Sequence, residues 1–159
     1  MKVAFFIGSI SDKETIISGV ELLKSFGIEV KLEVTSAHRT PERTVELVKK
    51  LEDEGVEVFI AAAGGAAHLA GVVAAHTTKP VIAIPLAVAP FQGLDALLSS
   101  VQMPKGVPVA VVSVGSWGTV NAALLAAEIL AIKYEELKDK LKNYRQEMKR
   151  KVEEAAAKL

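Results

Sequence analysis

Short apolar runs recur along the chain with helix-patterned segments between them, and this alternation restricts the fold more than any other feature. The runs lie at Lys2–Ile7, Glu29–Val34, Val56–Ala62, Val81–Pro85 and Val107–Val112. They read as strands, and apolarity continuous along a strand implies cover on both faces, as in a parallel sheet. Between them, helical periodicity predicts helices over Asp12–Phe26, stopped by Gly27, over Pro41–Glu54, with Pro41 in the first turn and Gly55 beyond the end, and over Ala66–His76. Strand and helix in repeated order give right-handed crossovers and an open α/β sheet that binds ligands at the carboxyl ends of its strands.

At 159 residues the chain suits one domain with a single core. A mean hydropathy of +0.32, with half the residues apolar, is more than one subunit of this size needs to bury, so part of that surface is expected to meet another subunit. Val120–Ile132 is apolar almost all round and is expected to be covered on two sides. From Tyr134 to Leu159 the composition turns to Lys and Glu, with Leu137, Leu141, Tyr144, Met148 and Val152 at helical spacing. This predicts a long amphipathic helix projecting from a 1–133 catalytic domain, lying either on its own subunit or on a neighbour. Gly93–Asp95, Gln102–Pro104 and Gly115–Asn121 read as loops, the last carrying Trp117 at an interface or a pocket wall.

Nineteen Lys and Arg balance nineteen Asp and Glu, so no whole-molecule field attracts nucleic acid or anionic lipid, and an anion needs a local site. With no cysteine there is no disulfide, thiolate metal site or Cys nucleophile. A first strand beginning at Lys2 leaves no room for a signal peptide, and His68, His76 and Lys79 interrupt the apolar stretches before the ~20 residues of a membrane span. The expectation is a cytoplasmic protein with no nucleic-acid or membrane partner.

Three strand exits carry candidate chemistry. Gly8-Ser9-Ile10-Ser11-Asp12 sets two hydroxyls and a carboxylate at a helix start, where they cap the helix or hold a phosphorylated sugar. It matches neither the dinucleotide fingerprint nor the P-loop. Ser36-Ala37-His38-Arg39 supplies a guanidinium fork suited to phosphate and an imidazole suited to proton transfer near neutral pH. Ala61-Ala62-Ala63-Gly64-Gly65-Ala66-Ala67-His68 is free of bulk until its histidine, as close approach to a flat ligand or tight packing would require. His76 falls two helical turns beyond His68 and could share its face. Three histidines without a carboxylate cluster make a poor metal site, and no metal is expected. The residues thus suggest a cofactor-free site for a small phosphorylated molecule.

Taken together, GSISD, SAHRTP, AAGGAAHLAG, GLDALLSSVQMPKGVPVA and NAALLAAEIL resemble the N5-carboxyaminoimidazole ribonucleotide mutase family of purine biosynthesis, over about Val3 to Ile132. The resemblance implies a three-layer, flavodoxin-like α/β/α fold in a homo-octamer, active sites shared between subunits, and a C-terminal helix reaching a neighbour. It implies transfer of a carboxylate from the exocyclic nitrogen to carbon 4 of the imidazole without cofactor. By the same resemblance Ser9, Ser11, Ser36 and Arg39 contact phosphate and ribose, Asp12 holds ribose hydroxyls, and His38 is the catalytic acid/base. Ala37, Gly64, Gly65, Ala66, His68 and Leu69 complete the substrate-binding set, the Gly64–His68 loop covering the ring and trapping carbon dioxide. The chain departs from the family pattern at Ala70, where proline is common, and in the stretches LAVAPFQ and GSWGTV. The related aminoimidazole ribonucleotide carboxylases, which take carbon dioxide directly, and a non-catalytic phosphoriboside binder are the alternatives.

Overall fold

The computed structural model describes residues 1–88 and 90–158; Ala89 of the LAVAPFQ stretch and Leu159 of the tail lie outside the described residues. Strands β1 (Lys2–Ile7), β2 (Glu29–Val34), β3 (Val58–Gly64), β4 (Val81–Leu86) and β5 (Ala110–Val111) form one parallel sheet in the order β2-β1-β3-β4-β5. Helices α1 (Lys13–Ser25), α2 (Pro41–Asp53), α3 (Leu69–Ala75), α4 (Leu94–Val101), α5 (Ser116–Ala131) and α6 (Glu136–Ala156) complete the chain.

Instead of a single core, the sheet separates two. Alternate residues of each inner strand point to opposite faces: Val3, Phe5 and Ile7 pack with Ile16, Val20 and Leu23 of α1 and the alanine-rich α5, while Ala4 and Phe6 pack with Leu47, Val48 and Leu51 of α2 and Val73 of α3. The order reverses between β1 and β3, since the chain leaves β1 toward β2 and leaves β3 toward β4. That reversal opens a crevice at the strands' carboxyl ends.

Three differences from expectation follow from local backbone chemistry. β3 begins two residues late, because Gly55 turns with φ +88° and the Val56 amide still bonds the Leu51 carbonyl at the end of α2. It ends two residues late because Ala63 and Gly64 pair with Pro85 and Leu86. β5 is cut from the expected Val107–Val112 to two residues at the sheet edge, where Pro108 offers no amide to a ladder.

α4 takes up Leu94 and Asp95 of the Gly93–Asp95 stretch read as loop, together with residues 96–101, to which no element was assigned. Its apolar positions Leu94, Leu97, Leu98 and Val101 are spaced i, i+3, i+4, i+7, a helical signal overlooked between the turn residues on either side. α3 is shorter than Ala66–His76 because Gly65 adopts φ +63° and the chain becomes helical only after His68. α5 starts at Ser116, so Trp117 stands in its first turn rather than in a loop, 81% exposed, beside a surface depression shared with Ser18 and Val120.

The C-terminal helix does not project over its whole length. Leu137 is fully buried, Leu141 and Tyr144 pack on the α1/α5 core, and Lys140 Nζ donates to the Phe26 carbonyl at 2.6 Å. Beyond Tyr144 it leaves this cover, with Met148 and Val152 exposed. Among the described residues no helix is long and apolar enough to cross a membrane.

Candidate active site

The loops leaving β1, β2 and β3 meet at the switch-point crevice around a cavity of about 450 Å³. Every residue assigned to the site from sequence lines it: Ser9, Ser11 and Asp12 from the first exit, Ser36, Ala37, His38 and Arg39 from the second, Gly64, Gly65, Ala66, His68 and Leu69 from the third.

The first exit is a single 3-10 turn, Ile10–Asp12, closed by a capping box. The Ser9 amide donates to Asp12 Oδ2 at 3.0 Å, and Ser11 Oγ donates to Ser9 Oγ at 2.9 Å. The capping role and the sugar-binding role are therefore compatible, since Asp12 lends one oxygen to the backbone and still lines the cavity. Partial burial raises the Asp12 carboxyl above its ordinary value of 3.8, against the lowering effects of the Ser9 amide and the Arg39 charge.

The second exit is held by threonines. Thr35, buried at the end of β2, bonds Thr44 Oγ1 at 2.7 Å, and the Ser36 amide donates to Thr40 Oγ1 at 3.0 Å just before Pro41 opens α2. This presents His38 and Arg39 outward. Arg39 Nη2 donates to the Gly8 carbonyl at 2.8 Å and Nε donates to Ser36 Oγ at 3.3 Å, tying the first two exits together. These contacts use part of the guanidinium fork and leave the rest for an anion.

The third exit brings a second imidazole to the first. His38 Nε2 lies 2.7 Å from His68 Nδ1, the rings edge to face with centroids 4.8 Å apart. The residues are thirty apart in sequence, and the placing of β2 and β3 on either side of β1 lets the second and third exits meet. His76 is not in the cavity; it ends α3, away from His68 at the helix start.

Gly8 and Ala63, which belong to the first and third exits without having been assigned to the site, also line the cavity, and sequence reasoning missed Val88. Val88 lies two residues beyond the end of β4, and its methyl groups lie against Gly64, where an added Cβ would come to 3.0 Å from them. The carboxyl end of a fourth strand beside the switch point was the available signal.

A carboxylate, a guanidinium, hydroxyls, paired imidazoles and small residues around one cavity suit a flat ring carrying a phosphorylated sugar. The family model described as AIR carboxylase matches residues 2–151. Curated relatives named N5-carboxyaminoimidazole ribonucleotide mutase include those of Pyrococcus horikoshii, 50% identical over 99% of this chain and 88% of the relative, and Saccharolobus solfataricus, 53% identical over 95% and 94%. Among solved structures, the crystal structure of Treponema denticola PurE is similar with a TM-score of 0.89 and 34% identity, covering 99% of this chain and 98% of that one.

Proposed function

The chain belongs to the AIR carboxylase family, and from that premise we propose that it is an N5-carboxyaminoimidazole ribonucleotide mutase of purine biosynthesis, with His38 as its general acid and base. Relatives bearing that enzyme's name match nearly the whole chain at 45–53% identity. The observation that carries the chemical reading is the His38 imidazole at the cavity wall, in the same loop as Ser36 and Arg39 and 2.7 Å from His68.

The substrate's phosphate and ribose take the polar side, with Arg39 and the hydroxyls of Ser9, Ser11 and Ser36 on the phosphate and Asp12 on the ribose. The exocyclic N–carboxylate bond breaks, carbon dioxide leaves, and the electron pair stays on nitrogen, which takes the His38 proton. Carbon 4 then attacks the trapped carbon dioxide, forming the new C–C bond. The same imidazole removes the carbon 4 proton and restores the aromatic ring. One proton goes out and one returns, so no electron acceptor or second base enters the balance.

The histidine contact suits this shuttle. A hydrogen bond between two imidazoles needs a donor and an acceptor, so the pair accommodates one added proton but not two. The Gly64–His68 loop covers the ring and, with Val88, excludes the water into which carbon dioxide would escape.

The proposal extends to a homo-octamer with sites completed between subunits. Trp117, Ile132, Leu94, Leu98 and Val101 leave more large apolar surface exposed than one subunit has use for. Solution mass tests it, and a monomer at micromolar concentration rules out the shared site.

The decisive experiment compares wild type with His38→Asn. The variant is expected to bind 4-carboxy-5-aminoimidazole ribonucleotide while losing at least about 10²-fold in turnover, the usual contribution of a positioned acid/base. Undiminished turnover rules out His38 as the acid/base, and a wild type that binds the ribonucleotide without turning it over leaves only a binder of phosphorylated ribosides. Supplying aminoimidazole ribonucleotide with carbon dioxide, instead of the N-carboxylated substrate, distinguishes direct carboxylation; equal or faster turnover of that pair favours the carboxylase.

A further inference from the structure

Ser99 lies outside the cavity lining, yet it holds the loop that carries His68. It sits in the last turns of α4, and its hydroxyl both donates and accepts: Oγ donates to the Ala96 carbonyl at 3.2 Å and accepts the Ala67 amide at 3.0 Å. The first bond aims the oxygen lone pair at Ala67, thirty-two residues away in sequence. Ala67 is buried to 3% exposure, immediately before His68, where the backbone turns into α3. An amide in that setting has no ready substitute for a lost acceptor. Rotation of its peptide swings His68, which meets His38 at 2.7 Å.

We propose that Ser99 is a positioning residue for the proton shuttle: through the Ala67 amide it fixes the Gly64–His68 loop so that the His68 ring stays against His38. The proposal rests on His38 being the acid/base. It assigns α4 a part in the reaction without contact to substrate, and it separates the ring side of the cavity from the anchoring side, which Ser99 does not touch.

The test measures kcat and KM for conversion of N5-carboxyaminoimidazole ribonucleotide by Ser99→Ala, Ser99→Cys and Ser99→Thr, each in wild-type and His68→Asn backgrounds, with His38→Asn in parallel. Misplacement of a reacting group by about an ångström costs on the order of 10²-fold, so Ser99→Ala is expected to lower kcat at least about tenfold with KM held within about twofold. Ser99→Cys, similar in size but a weak acceptor, falls with it, and Ser99→Thr, which keeps the hydroxyl, recovers most of the rate. In the His68→Asn background Ser99→Ala adds no more than about twofold, because the two residues act through one path. Wild-type kcat in Ser99→Ala or Ser99→Cys overturns the proposal, as does an equal loss in both backgrounds or a change confined to KM. If His38→Asn retains turnover, the acid/base reading fails and the proposal fails with it. If His38→Asn is inactive and the Ser99 variants match wild type, only the Ser99 proposal fails.

Discussion

The two sides of the cavity are ordered by different means. On the side proposed to anchor phosphate and ribose, the loops after β1 and β2 are fastened chiefly by contacts within four residues: Ser9 with Asp12, Ser36 with Thr40, Ser11 with Ser9. One long reach, Arg39 to Gly8, joins them. The loop after β3, proposed to cover the ring, has almost no such support, since Gly64 to Ala67 carry no side chain able to make a hydrogen bond. Its shape is imposed by distant groups: Val88 against Gly64, Ser99 on the Ala67 amide and His38 on His68. Charged anchoring tolerates a preformed local frame, whereas covering a flat ring requires small residues, and small residues must be held from outside.

That contrast breaks or sharpens under substitution. The largest effect is expected at Arg39. Charged hydrogen bonds contribute about 1.5–3 kcal/mol each, so Arg39→Met raises KM for the ribonucleotide by about tenfold to a hundredfold, with kcat changed far less. Steady-state kinetics checks this, and a fall in kcat at constant KM would show that anchoring and chemistry are not separate.

Gly65 comes next. Its φ of +63° costs an L-residue about 1–2 kcal/mol, although nothing lies within 4 Å of an added Cβ. Gly65→Ala therefore tests backbone strain alone. Thermal unfolding should drop by a few degrees, at roughly 2–4 °C per kcal/mol for a chain this size, and kcat severalfold with KM little altered. An unchanged variant would mean that the ring side is no more demanding than the anchoring side.

The smallest effect concerns Asp12, and its sign is informative. Partial burial holds the folded carboxyl above its ordinary value of 3.8. The protonated form is thus the one favoured by folding: that increment is fully present below the unfolded value and is lost as pH rises through the folded one. Without ligand, Asp12→Asn should raise the unfolding midpoint at pH 7 by about 1 °C or less and remove this slope on the alkaline side of 3.8, while weakening ribonucleotide binding. Calorimetry across that pH range with and without ligand checks both halves. A lower midpoint at pH 7 would show that the Ser9 and Arg39 contacts outweigh the burial.

How far the molecule could be read from its sequence follows the same division. The ends of β1 and β2 coincide with the apolar runs, and α1 and α2 with their glycine and proline boundaries to within a residue or so, because turns and caps act over a few positions. The two-residue displacement of β3 was illegible because Ala63 and Gly64 are strand only by virtue of pairing with β4. α4 was legible in its spacing and was missed between turn signals. The split of α6 into a packed and an exposed half was not legible, since Leu137 and Val152 hold equivalent places in the amphipathic pattern and differ only in whether α1 and α5 lie beneath them.

For the site, residue types announced the chemistry available at each strand exit, and spaced motifs announced the family. Nothing in the order of residues could place His38 within 2.7 Å of His68, or Ser99 behind the loop that carries it. By itself the sequence determined which segments become strand or helix and which exits bear an imidazole, a guanidinium or bare glycine, because propensity, capping and side-chain chemistry are local properties. The tertiary structure alone decided which exits meet and what holds the featureless one in place, because strand order in a parallel sheet is set by pairing and burial between segments far apart in the chain.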